Sequence, residues 1–141
     1  KAGYFDETMK GCEDRDMWMR IARNCTVRVM QEPLMQYRFH PSNAHKNIPM
    51  MQQGQQRFLQ KNAADASWLI KRKAQGYIYL DIAREYAAIS RKSKAAISSL
   101  KSCLSYPFKI YRDDNKYWIL MKSLIPTSLI EIFHLLKRNG E

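Results

Sequence analysis

Acidic side chains are scarce in this sequence: 13 Asp and Glu stand against 24 Lys and Arg, a formal net charge of +11 over 141 residues. An acidic surface is excluded, and a positive one that favours anions is expected. Phosphates of a nucleotide sugar, nucleic acid and an acidic membrane leaflet all fit, and charge does not choose among them. Cysteine is equally thin. Cys12, Cys25 and Cys103 are odd in number, widely spaced and lack metal-type pairing, so reduced cytosolic thiols are expected. No segment is of low complexity, and 45% hydrophobic content suits a globular chain long enough to bury a core. The chain opens on Lys1 without a signal peptide, so it reads as a segment of a longer polypeptide. A membrane-spanning run is missing too. The best apolar stretch, residues 117–138, carries Lys122, Glu131 and His134 with Pro126 in the middle, which suits an interfacial amphipathic pair better than a span.

What is present is organised around Gly11 to Ala22, GCEDRDMWMRIA. Adjacent carboxylates open a short helix, predicted from about Asp14 to Arg23, where the unpaired N–H groups and the positive dipole end favour them. Met17, Trp18, Ile21 and Ala22 repeat at the spacing of one buried helical face. Asp16 and Arg20, four apart on the opposite side, can pair. Before the helix, residues 1–12 read as a loop, with Gly3 and Gly11 free to take unusual backbone angles and Phe5 expected to anchor the loop on the core. After it, Cys25 to Met30 alternates and is β-branched, which predicts a short strand. Glu32-Pro33 turns the chain, Leu34 to Phe39 predicts a second strand, and His40 to Asn43 leaves it as a loop.

Strand signals then stop. From residue 48 onward the pattern is helical, with helices predicted at about 49–61, 64–90, 93–105, 113–124 and 127–138, the second open to a bend at Gly76. Pro107 and Pro126 fall where helices start or stop. Tyr77, Leu80, Ala83 and Ala87 are expected to face Ala96, Ile97, Leu100 and Leu104 in a helical hairpin, loosely like one tetratricopeptide unit. The predicted architecture is therefore mainly α: a small α/β piece of one short helix and two short strands over residues 1–47, then a bundle of about five helices over 48–141.

Gly3-Tyr4-Phe5-Asp6-Glu7, Glu13 to Ala22, Glu32-Pro33-Leu34, Tyr37-Arg38 and His40-Pro41 follow one another within about forty residues. In that order and spacing, residues 1–43 resemble the C-terminal end of the catalytic domain of family 2 glycosyltransferases, which have the GT-A fold. The likeness covers less than a third of the chain; the helical remainder is more loosely similar to the C-terminal extensions of some of these enzymes. The resemblance implies an inverting transfer of a sugar from a nucleotide-sugar donor to a glycan or lipid-linked acceptor, in bacterial cell-envelope or exopolysaccharide assembly.

In the family, the Asp of the Glu-Asp pair is the base that takes the acceptor proton, which maps onto Asp14, with Glu13 orienting the acceptor or tuning the pair. A solvated helix cap is the plain alternative for Glu13. Phe5, Asp6 and Trp18 fall on the acceptor side, although Trp18 reads first as a packing residue and Arg20 first as a salt-bridge partner. Arg38 is placed to meet the donor diphosphate as a fork, and His40 to ligate the divalent metal, Mn or Mg, expected of the intact enzyme; the alternative for a lone His is structural.

Asp14-Arg15-Asp16 spells the Asp-x-Asp metal signature of such enzymes, but on a helix residues two apart diverge by about 200°, so it is rejected as that site. Asp113-Asp114 reads as a second cap. The nucleotide-binding strands are expected in a preceding half, so this segment is not expected to transfer sugar alone. A cytoplasmic location is implied, with peripheral contact at the inner membrane face through the basic C-terminal helices, and exposed strand edges leave pairing with a second copy open. Lys71-Arg72-Lys73, Arg91-Lys92-Ser93-Lys94 and Lys137-Arg138 read first as solvated helix faces. The rival reading is a basic helical interaction module for nucleic acid or a protein partner. It leaves residues 1–43 unexplained and shows no recognition-helix motif.

Overall fold

A computed structural model describes residues 2–38, 40, 42–111 and 114–125, and among these described residues there are five α-helices. They are α1 (Glu13–Ala22), α2 (Ile48–Asn62), α3 (Trp68–Ala88), α4 (Lys92–Ser105) and α5 (Lys116–Leu124), with a 3-10 turn at Ala44–Lys46 before α2. The chain divides into two compact units, residues 1–71 and 72–141, with α3 crossing the boundary. The predicted helix 127–138, together with Pro126, Phe39 and Pro41, lies outside the described residues.

The predicted α/β piece is not borne out. Among the described residues there is no strand, and the run from Arg23 to Arg38 is irregular and exposed throughout. Alternation in Cys25 to Met30 supplies a strand-like face, but a strand exists by pairing, and an isolated two-stranded ribbon is marginal in water. No described segment offers this one a ladder, so Val27, Val29, Met30, Leu34 and Met35 all point into solvent.

Burial in α1 runs opposite to expectation as well. Asp16 is fully buried, whereas Trp18 is 62% exposed and Ile21 lies at the surface. The side of α1 that meets α2 and the N-terminal loop is its polar one. Phe5, at 57% exposure, does not anchor that loop either.

In residues 72–141 the core is Leu80 and Ala83 of α3, Ala95 of α4 and Ile119 of α5, with Tyr86, Ile110 and Tyr111 packed around it. α3 does not break at Gly76, since it continues through it to Ala88. A Cβ at Gly76 would stand 3.0 Å from Tyr106 Cβ and 3.3 Å from Ile110 Cδ1, and the Gly76 carbonyl accepts from Ser102 Oγ at 2.7 Å. The glycine is there for close approach to α4, which offsets its poor helix propensity. The buried face of α4 is Ala95, Ser98, Ser99 and Ser102, not the predicted Ile97, Leu100 and Leu104, which are exposed. Serines win that face because their small side chains admit α3 at short range and donate to the Gly76 and Lys116 carbonyls.

Lys116 opens α5 with no exposed surface. Its ammonium lies 2.7 Å from Asp114 Oδ2 and also donates to the Phe108 carbonyl, while Asp114 accepts from the Ile110 and Lys116 amides. Burial pushes the Asp114 carboxyl up, but these hydrogen bonds outweigh it and hold the group below its ordinary range. Asp114 thus closes the turn into α5 from one residue before its N-cap, Asn115; Asp113, the other acid of the expected cap, lies outside the described residues.

Candidate functional site

The acidic helix start begins on an unusual backbone. Gly11 and Cys12 are both left-handed, with φ of 82° and 64°, and turn the loop sharply into α1. Against this turn lies Gly54 of α2: a Cβ there would run into the Gly11 carbonyl and stand 2.8 Å from the Lys10 oxygen. Two glycines in contact therefore let the loop backbone rest directly on α2, which Asn47 opens by accepting from the Met50 amide at 3.2 Å.

A compact ionic cluster locks this joint. Asp16 Oδ2 pairs with Arg20 Nε at 3.0 Å and with Lys61 Nζ at 2.9 Å, and its Oδ1 accepts from Asn62 Nδ2 at 3.0 Å. Lys61 reaches on to Asp6 Oδ2 at 2.8 Å, and Asp6 Oδ1 caps the Thr8 amide and hydroxyl. The Arg20 guanidinium donates to the carbonyls of Ala2 and Tyr4, and Arg57 to the carbonyl and hydroxyl of Thr8.

Two carboxylates and two cations, Arg20 and Lys61, thus neutralise one another. Burial pushes the Asp16 carboxyl up, yet the bonds from Asn62, Lys61 and Arg20 outweigh it and leave it below the usual range. Lys61, then Thr8, hold Asp6 well below that range, and Asp6 followed by Asp16 pushes Lys61 up.

Of the expected site residues, the cluster gathers only Asp6. Glu13 and Asp14 stand exposed at the open end of α1, with Asp14 Oδ1 accepting from the Arg15 amide at 2.7 Å. Asp14 and Asp16 diverge, one in solvent and the other buried in ion pairs. Trp18 and Phe5 are exposed. Arg38 is exposed, and its carbonyl accepts from Asn43 Nδ2 at 3.0 Å. His40 Nδ1 is 2.8 Å from Ser42 Oγ. Among the described residues no hydrogen bond or ion pair joins Glu13 or Asp14 to Arg38 or His40.

The described residues also bring no three His, Cys, Asp or Glu side chains together. One imidazole beside a serine does not make a divalent-metal site, so these residues do not by themselves fit the expected Mn or Mg. Lys61 and Asn62, the two partners that complete the Asp16 site, escaped the sequence reading because they lie 45 and 46 residues away. A pairing at that distance leaves no local pattern; the one available hint was Asp16 itself, an acid three positions into a helix.

No family model, curated protein or solved structure matches this chain. Among the described residues no helix is long and apolar enough to cross a membrane.

Proposed function

We propose that this chain is the acceptor-side portion of an inverting family 2 glycosyltransferase, working with a nucleotide-binding half of the same enzyme. The observation that carries the reading is the division of labour among the acids of α1. Asp16 is consumed by structure, while Glu13 and Asp14 are left exposed on a helix start that the cluster holds still. A carboxylate meant to accept a proton needs that combination of access and fixed position.

In the proposed step the acceptor hydroxyl attacks the anomeric carbon, the new C–O bond forms as the bond to the nucleoside diphosphate breaks, and the hydroxyl proton passes to Asp14. Glu13 orients the acceptor. Phe5 and Trp18, exposed on the loop and on α1, offer apolar and aromatic surface to a sugar ring. Arg38 presents a guanidinium to the diphosphate.

The test is Asp14→Asn in the intact enzyme. Turnover should fall about a hundredfold or more, the scale of a lost general base, with nucleotide-sugar affinity by calorimetry nearly intact. Equal loss of both would make Asp14 a structural residue and end the reading.

A further inference from the structure

We propose that the outward face of α4, supported by α5, is an adsorption surface for an anionic lipid leaflet. Such a surface would serve this chain whether or not it belongs to a glycosyltransferase. Because small serines occupy the buried side of α4, its large aliphatics are turned out: Ile97, Leu100 and Leu104 are 55%, 47% and 68% exposed. At about 100° per residue they fall in one stripe, opposite Ala95, Ser99 and Ser102. Lys94 and Lys101 line one edge of the stripe, both exposed, each with its ammonium over a tyrosine ring of α3, at 5.4 Å from Tyr86 and 5.7 Å from Tyr79. Neither α4 nor α5 contains an acid. α5 repeats the design: Met121 and Leu124 face out with Trp118, a residue suited to the headgroup level, and Lys122 lies over the indole.

An apolar stripe bordered by cations is the pattern of a helix that lies in a membrane interface, aliphatics among the acyl chains and ammonium groups reaching back to phosphate. α4 has 14 residues, about 21 Å at the helical rise, enough to lie along a leaflet. Charge selects this occupant over a second copy. Two such helices face to face would set lysine against lysine with no acid on either to answer it, whereas anionic headgroups supply the opposite sign.

Co-sedimentation with vesicles tests the assignment. The chain should pellet with mixed phosphatidylcholine–phosphatidylglycerol vesicles at low salt, release at high salt, and ignore phosphatidylcholine alone. Leu100→Glu/Leu104→Glu should weaken binding at least about tenfold, as should Lys94→Glu/Lys101→Glu, given the pull that each basic residue exerts near an anionic surface. Arg28→Glu/Lys46→Glu changes net charge equally but lies outside the surface, and should bind as the parent does. Circular dichroism confirms that each variant folds; should the leucine pair fail, the two charge pairs decide alone. No pelleting at low salt, or equal loss in the two charge-reversed pairs, overturns the proposal. So does a vesicle-free dimer abolished by Leu100→Glu, which would hand the face to a second copy.

Discussion

Residues 1–71 and 72–141 each hold a lysine–aspartate ion pair on a buried aspartate, with Lys116 buried and Lys61 partly exposed, and they use it in opposite ways. In the second unit Lys116 and Asp114 are two apart in sequence and fasten a turn beside an apolar core that already exists around Leu80, Ala83, Ala95 and Ile119. In the first, Lys61 and Asp16 are 45 apart, and the buried apolar residues are few, with Met9, Cys12 and Ile48 among them. There the ion cluster is itself the joint. A buried charge pair is weak support for stability in general, but removing one partner strands the other in a poorly solvating site and is costly. The first unit should therefore be the more sensitive to charge and acid, the second to side-chain volume.

The comparison can be broken most forcefully from the apolar side. Leu80→Ala should destabilise by about 3 kcal/mol, the usual scale for a large-to-small change in a packed core. Hydrogen exchange should rise in peptides from α3 to α5. Lys61→Met should have a smaller effect, about 2 kcal/mol, since Lys61 is partly solvated and Arg20 and Asn62 still serve Asp16. Its exchange should rise in α1, α2 and the N-terminal loop.

Acid reaches both units, through two carboxylates in the first and one in the second. Asp6, Asp16 and Asp114 titrate below the ordinary 3.8 when folded, so the unfolded chain takes up protons first as pH falls. The stability they contribute is complete above about pH 5 and drains away as acid passes the ordinary value towards the folded ones. Lys61 has the opposite sign: its contribution is whole below 10.5 and is lost above it, as pH rises through the higher folded value. A thermal melt should be flat near neutrality and fall below about pH 4, with a shallower acid limb in Lys61→Met.

Helix positions were legible in the sequence, and helix faces were not. The predicted 49–61 and 93–105 lie within a residue of Ile48–Asn62 and Lys92–Ser105, because Asn47, the proline at 49 and the breaks around Ser90 and Pro107 are local signals. Which side of a helix is buried depends on what arrives from elsewhere. In α1, Lys61 and Asn62 arrive and draw Asp16 inward; in α4, Gly76 arrives and favours serine over leucine. Periodicity alone assigns the aliphatic stripe to the core in both helices, and in both the stripe is outside. The residues between α1 and the 3-10 turn mislead for a related reason, since alternation describes a face and says nothing of a pairing partner. Of the candidate site, the exposed Glu-Asp pair was readable from its helix-start setting, while the cluster that steadies it came from distant contacts.

The most direct measurement is the unfolding free energy of Asp14→Asn set beside that of Asp16→Asn, each by urea titration. The account predicts that Asp14→Asn stays within about 0.5 kcal/mol of the parent, as an exposed side chain should. Asp16→Asn should lose about 2 kcal/mol or more, because a buried carboxylate that answers two partly exposed cations and Asn62 is replaced. Equal losses, or the reverse order, would contradict the claim that one acid of this helix start holds the frame while its neighbour is left free to act.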